Sequence, residues 1–347
     1  MSDHNDRMYE LEYPSPEVSG NSQSGPTLIV ALQGYADAGH AVEASASHLL
    51  DALDHRLIAS FNNDELIDYR SRRPVVVIEN NEVISMDDLS LGLHVVRDNE
   101  NKPFLVLAGP EPDLRWGDFS HAVADLADKF GVENTICLYA APMMVPHTRP
   151  TVVTAHGNSA DRLKGKVALD ARLTVPGSAA LKLEMLLKEQ GKNVSGYTVH
   201  VPNYVAASSY PAATLKLLES IADSADLALP LLALERDAEK VHRQLMEQTS
   251  DSSEIQAVVT SLEQRYDEEL ERYYSQKAQT ALPSDSEVPS GDELGAEFEK
   301  FLADLDSNSE SDTSEDHVEE TNESDNDGSD LGGSDANSTD FGEASES

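Results

Sequence analysis

The chain has one cysteine, one tryptophan, aromatic residues at 5% of its length and no long apolar run. Each scarcity excludes something. A lone thiol cannot close an intrachain disulfide, and Cys137 falls within the apolar run Thr135-Ile-Cys-Leu-Tyr139, where it reads as an inert core residue. No stretch approaches the roughly 20 apolar residues of a spanning helix. Met1 to Gly25 is polar and acidic, without the apolar region of a signal peptide, so the expected location is the cytoplasm. Basic residues are also scarce, with 25 Lys and Arg against 64 Asp and Glu and a net charge of -39. Phosphate recognition depends on clustered cations, so nucleic acid is not an expected partner, and anionic membranes are disfavoured as well. Such a surface keeps a protein soluble or suits a high-salt cytoplasm.

No Lys or Arg follows Lys300, and Ser307 to Ser347 is almost wholly Ser, Asp, Glu, Asn, Thr and Gly. A segment of this kind cannot offset its ordering entropy by burying apolar surface, and a disordered acidic tail is expected over 307–347. Ahead of it, short runs rich in Val, Ile and Leu alternate with stretches of helical period, the pattern of a sheet covered by helices. Strands are expected at Leu28–Gln33, Arg56–Phe61, Val75–Glu79, Leu93–Arg97, Phe104–Ala108, Thr135–Ala140, Val152–Ala155, Ala171–Val175 and Tyr197–Val201. Helices are expected at His40–Leu53, Phe119–Phe130, Ser178–Gln190 and Tyr210–Ala222. Beyond Ala233 only amphipathic helices remain, at Leu234–Gln248, Glu254–Tyr274 and Asp292–Leu305. The division that follows is a flexible arm (1–25), an α/β core (26–232), a helical extension (233–306) and the tail.

Three stretches carry residues suited to a site. Gln33-Gly34-Tyr35-Ala36-Asp37-Ala38-Gly39 joins the first core strand to the first core helix, where open α/β sheets commonly hold ligands. It lacks the Gly-x-Gly-x-x-Gly and Gly-Lys-Ser/Thr patterns of phosphate loops, and Asp37 stands where a helix N-cap belongs. Asp68-Tyr-Arg70-Ser-Arg72-Arg-Pro74 is a cationic knot in an acidic chain. If extended, it projects Arg70 and Arg72 to one side, as an anion clamp or as part of a structural network. Gly109-Pro-Glu111-Pro-Asp113-Leu-Arg-Trp116 is a loop stiffened by two prolines that aims Glu111 in a defined direction. Convergence of Asp37 and Glu111 would give a carboxylate pair for acid–base work or for anchoring the arginines. His147 and His156 lack metal-binding spacing, so no metal is expected, and Ser178 reads as a helix cap.

Taken in order, Leu32-Gln-Gly-Tyr-Ala-Asp-Ala-Gly39, Asp68-Tyr-Arg-Ser-Arg-Arg-Pro74, Gly109-Pro-Glu-Pro112 and Trp116 resemble the signatures of the proteasome assembly chaperone 2 family. Pro146-His-Thr-Arg-Pro150, Val175-Pro-Gly-Ser178 and His200-Val-Pro202 resemble its actinobacterial branch, as does the helix around Gly291–Phe301. The resemblance implies a three-layer α/β/α sandwich similar to nucleoside phosphorylase and hydrolase-like folds. It also implies self-association, with a trimer as the working assembly, and protein partners, with proteasome subunits as candidates. The family's motif positions map onto Gly34, Asp37, Gly39, Asp68, Arg70, Arg72, Glu111 and Trp116. Some archaeal relatives end in a hydrophobic-tyrosine-any tail that docks on the proteasome ring. This chain ends Ala344-Ser-Glu-Ser347, so a proteasome contact is expected to use another surface.

The function expected is that of a protein-binding assembly factor without cofactor or catalysis. The alternative is a phosphorylase- or hydrolase-like enzyme, with Glu111 as general base beside Asp37 and with Arg70 and Arg72 as anion clamp; fold likeness alone cannot establish it. An ATP-dependent carboxylate-amine ligase fits least, for want of a nucleotide loop and a set of magnesium carboxylates.

Overall fold

The computed structural model describes residues 8–13, 18, 25–164, 166–168 and 172–280, with side chains described as far as 275. The helix expected at Asp292–Leu305 and the acidic tail lie outside the described residues.

The elements run β1 (Tyr9–Leu11), β2 (Thr27–Gln33), α1 (Ala41–Ala52), β3 (Asp54–Phe61), α2 (Asn63–Leu66), β4 (Val76–Glu79), β5 (Glu82–Met86), β6 (Gly92–Arg97) and β7 (Pro103–Pro110). They continue as α3 (Trp116–Lys129), β8 (Asn134–Met143), β9 (Val153–Gly157), α4 (Ala160–Leu163), β10 (Val167–Ala168), α5 (Ala179–Glu189), β11 (Asn193–Pro202), α6 (Pro211–Ala225), α7 (Leu232–Ser250) and α8 (Ser253–Thr280). Among the described residues, nine strands form one sheet in the order β1-β3-β6-β7-β2-β8-β11-β9-β10. Its centre, β7-β2-β8-β11, is parallel, and antiparallel pairs flank it.

Parallel strands buried on both faces need apolar side chains at successive positions, and β2 and β7 supply them, Leu28 to Leu32 and Phe104 to Ala108 being buried. Alternation divides these side chains between two layers. Leu28, Val30, Leu105 and Leu107 pack with Phe119 and Val123 of α3 and Leu183 and Leu187 of α5. Ile29, Ala31, Phe104 and Val106 pack with Val42 and Leu49 of α1 and Leu217 and Ile221 of α6. The result is the expected three-layer α/β/α sandwich.

Several expectations need correction. Tyr9–Leu11, inside the stretch read as an arm, pairs antiparallel with Phe61–Ala59 of β3. No strand forms over 172–175, which is irregular. The apolar run at Val75–Glu79 does not join the main sheet. It forms a separate hairpin with β5, closed by Asn80 and Asn81 with φ of 49° and 67°. Two successive positive φ angles match the type I′ turn that suits the twist of a two-stranded ribbon.

Candidate functional site

The loops after β2, β7, β8 and β11 lie at the carboxyl ends of the parallel strands, with Gln33–Gly39 after β2 and Gly109–Trp116 after β7, whereas Asp68–Pro74 lies between α2 and β4. Asp37 acts on α1. Its Oδ1 accepts from the Val42 N–H at 2.7 Å and its Oδ2 from the Glu43 N–H at 3.1 Å, so both oxygens serve the open amides of the first turn. Burial raises the Asp37 carboxyl above its ordinary pKa, and the two amide bonds pull the other way. The chain reaches α1 from Asp37 through Gly39, at φ 68°, whose N–H donates to the Ala206 carbonyl and whose carbonyl accepts from the Tyr210 N–H. A β-carbon at Gly39 would lie 3.0 Å from Tyr210 Cβ, so both backbone angle and space favour glycine.

Glu111 acts on α5, in the opposite layer. Its Oε1 accepts from the Ala179 N–H at 2.7 Å, at the positive end of that helix, while Ser178 Oγ accepts from the Leu181 N–H as a conventional cap. The other oxygen faces the Tyr35 N–H at 3.5 Å. A β-carbon at Gly34 would stand 2.2 Å from Glu111 Oε2, so the glycine makes room for the carboxylate. Trp116 completes this join. Its indole N–H donates to the Pro112 carbonyl at 2.5 Å, and its ring lies beside Gly177, which precedes the α5 cap. Asp37 and Glu111 therefore attend helices on opposite faces of the sheet, and each carboxylate accepts from backbone amides.

The arginine pair is divided. The stretch after Asp68 is a turn rather than extended chain, with the Ser71 and Arg72 N–H groups donating to the Asp68 carbonyl and the Arg70 N–H to Asp68 Oδ1. Arg72 points inward, donating to Asp113 Oδ1 at 3.1 Å and to the Gln33 carbonyl at 3.3 Å, while Asp113 Oδ2 accepts from the Asp68 N–H. Arg70 points outward, and its guanidinium makes no ion pair among the described residues. A clamp made jointly by Arg70 and Arg72 is thus not formed, because a turn breaks the alternation on which it depended.

The partners of His156 and His147 escaped the sequence reading. His156 pairs with Glu184 Oε2 at 3.0 Å and Tyr139 donates to Glu184 Oε1 at 2.6 Å, in the layer that also holds Cys137. Burial, then Glu184, push the Cys137 thiol well above its ordinary pKa, which keeps it protonated. His147, only 4% exposed, pairs through Nδ1 with Tyr204 at 2.7 Å and faces the His242 ring of α7 at 6.0 Å. Here α8 is tied down, by Thr148 to Glu263 and by Arg149 to Glu263 and Asp267. The spacing of about 115 residues between these partners is beyond any local pattern.

The exposed counterpart of these closed networks is the β4–β5 hairpin beyond Arg70. Val75, Ile78, Val83 and Met86 are between 63% and 68% exposed, and every residue of both strands faces solvent.

The PAC2 family model matches residues 31–249, and the chain belongs to that family. A Corynebacterium glutamicum protein of unknown function is 84% identical, with a TM-score of 0.76, over 77% of this chain and 100% of its own. A Mycobacterium tuberculosis protein of unknown function is 43% identical, with a TM-score of 0.76, over 79% and 94%. A Mycobacterium tuberculosis proteasome-assembly chaperone homologue is 25% identical, with a TM-score of 0.62, over 67% and 99%. No curated protein matches the chain.

Proposed function

We propose that this protein is a cytoplasmic, non-catalytic assembly factor that self-associates and binds protein partners, with proteasome subunits the first candidates. The observation that carries this reading is the β4–β5 hairpin. An isolated two-stranded ribbon is marginal in water, and contiguous exposed apolar side chains mark interaction surfaces. Covering one such side chain contributes roughly 1.5–3 kcal/mol. Arg70 and Arg73 stand exposed at the base of the hairpin and supply charge for an acidic partner surface. The engagement of Asp37 and Glu111 by backbone amides supports binding over acid–base catalysis. Membership of the PAC2 family, together with the likeness to a protein named as a proteasome-assembly chaperone homologue, supports the choice of partner.

The test compares the wild-type chain with an Ile78→Asp/Val83→Asp variant by light scattering and by binding to immobilised proteasome core particles. An oligomer, with a trimer expected, that falls to monomer in the variant supports self-association through the hairpin. Core-particle binding weakened by Arg70→Ala supports the partner. A wild-type chain that stays monomeric at micromolar concentration and ignores the core particle would sink both parts.

A further inference from the structure

Helix α7 rests on the core with none of its residues buried. Leu234, Val241 and Leu245 lie half-buried against the layer of α1 and α6, and the helix makes no ion pair among the described residues. The chain on either side of it is better held. Before α7, the His48 ring donates to the Pro230 carbonyl at 2.7 Å and the Ala228 N–H donates to Asp98. After it, α8 buries Val259, Leu262 and Tyr266 and is bound by Arg149. Between these anchors the polar side of α7 meets the core at the exposed His242, whose ring stands 6.0 Å from that of the buried His147.

The hydrogen bonds around His147 fit a neutral ring. Its backbone N–H donates to the Tyr204 oxygen at 2.8 Å, and its Nδ1 lies 2.7 Å from the same oxygen. Partial burial raises the Tyr204 hydroxyl to about 12, so the phenol keeps its proton and donates it to Nδ1. The imidazole proton then sits on Nε2, which is shielded from solvent and has no partner among the described residues. A second proton, on Nδ1, would aim another N–H at the Tyr204 oxygen, displace the phenol proton and bring a charge to a place without a free acceptor. The surrounding groups supply none. Arg149, in the same loop, binds Glu263 of α8 at 3.0 Å, and Glu263 also accepts from Thr148. Glu235, Arg236 and Glu239 of α7 and Tyr210 at the start of α6 border a cleft of about 790 Å³ beside the ring, and none of them reaches Nε2. Burial, then the charge of His242, lower the His147 pKa, and Glu263 opposes them.

We propose that α7 is an acid-sensitive clamp, in which protonation of His147 opposite His242 loosens the helix and uncovers the apolar surface beneath Leu234, Val241 and Leu245. The closed form holds His147 neutral, so the clamp is complete above pH 6.5 and weakens as the pH falls below it. Once α7 lifts, water reaches the ring and solvates its charge. That difference in proton affinity between the two forms is what couples acid to the motion.

Hydrogen exchange of the full chain is followed at pH 7.5 and pH 5.5, with rates corrected for the pH dependence of the chemical step. Protection along 235–250 is expected to lie below that of β2 and β7 at both values and to fall about tenfold at pH 5.5, the effect of a tenfold difference in proton affinity between closed and loosened forms. In His147→Asn the side-chain carbonyl accepts from Tyr204 in place of Nδ1 but takes no proton. Its α7 protection is expected to stay level within about twofold, while β2 and β7, which report global unfolding and the other histidines, still lose protection. His242→Gln, an exposed change that serves even where His147→Asn fails to fold, removes the facing charge and is expected to shrink the fall to about threefold or less. Unchanged α7 protection in the wild type overturns the clamp, as does a tenfold fall that persists in either variant. Equal protection in α7, β2 and β7 also overturns it, because α7 would then open only with the whole molecule.

Discussion

Gly34 and Glu111 form the tightest reciprocal fit among the motif residues, and the two can be perturbed separately. Gly34→Ala places a methyl group on the carboxylate and is expected to cost roughly 1–3 kcal/mol in urea denaturation. Glu111→Ala leaves the Ala179 N–H without its acceptor, at about 1–3 kcal/mol, whereas Glu111→Gln keeps an acceptor and loses only the charge, at about 0.3–1 kcal/mol. Equal losses for the Ala and Gln variants would contradict the capping role. Histidines set the response to acid. Burial, then the charge of His55, hold His94 at about 4, below its ordinary 6.5. Between those values the unfolded chain binds a proton that the folded chain refuses, so this contribution is complete above pH 6.5 and lost as pH falls toward 4. Burial lowers His147 and His200 in the same sense, while the bond to Glu184 raises His156, whose contribution is present below pH 6.5 and lost as pH rises. The large shift of His94, to about 4, sets the sign, and the thermal midpoint is expected to drop between pH 7 and pH 5, with a shallower slope in His94→Phe. A flat profile in the wild type would refute this balance.

At the level of elements, the sequence was most readable where burial is two-sided. The central strands appear as unbroken apolar runs, and the helices between them end at Gly131 and Gly191, both with positive φ. The same logic misplaced Val75–Glu79, because a run of Val and Ile reads alike whether it fills a sheet or protrudes as a ribbon. β10, two residues long, is too short to carry a pattern. The candidate site was legible in residue identity but not in geometry. Asp37 was readable as a helix cap because its amides are close in sequence. The partner of Glu111 is 68 residues away, and the turn at Asp68 that parts Arg70 from Arg72 rests on backbone bonds. Such distant ties also hold α8, where Arg149 forms a two-pronged contact with Asp267. Arg149→Ala is therefore expected to raise hydrogen exchange along residues 259–273 while leaving the central strands protected. Unchanged exchange there would show that Val259, Leu262 and Tyr266, buried in their own right, suffice.

On the scale of the whole molecule the dominant quantity is charge. A net charge of -39 sets up self-repulsion that added salt screens, since the Debye length shrinks from about 30 Å at 0.01 M to about 3 Å at 1 M. The thermal midpoint is expected to rise steadily from low salt to 0.5 M sodium chloride, whereas a midpoint that falls with salt would assign more stability to ion pairs such as Arg149–Asp267 than to relief of repulsion. The same repulsion opposes the bringing together of copies. Association therefore needs short-range apolar contact, and the hairpin stands where that contact is available. The Glu111 cap has a further consequence in time. Its carboxylate and the amide it receives are separated by two helices, α3 and α4, and three strands, β8, β9 and β10. The start of α5 is therefore completed only after β7 has found its place in the sheet, late in the order of folding, and loss of the cap acts mainly by hastening unfolding.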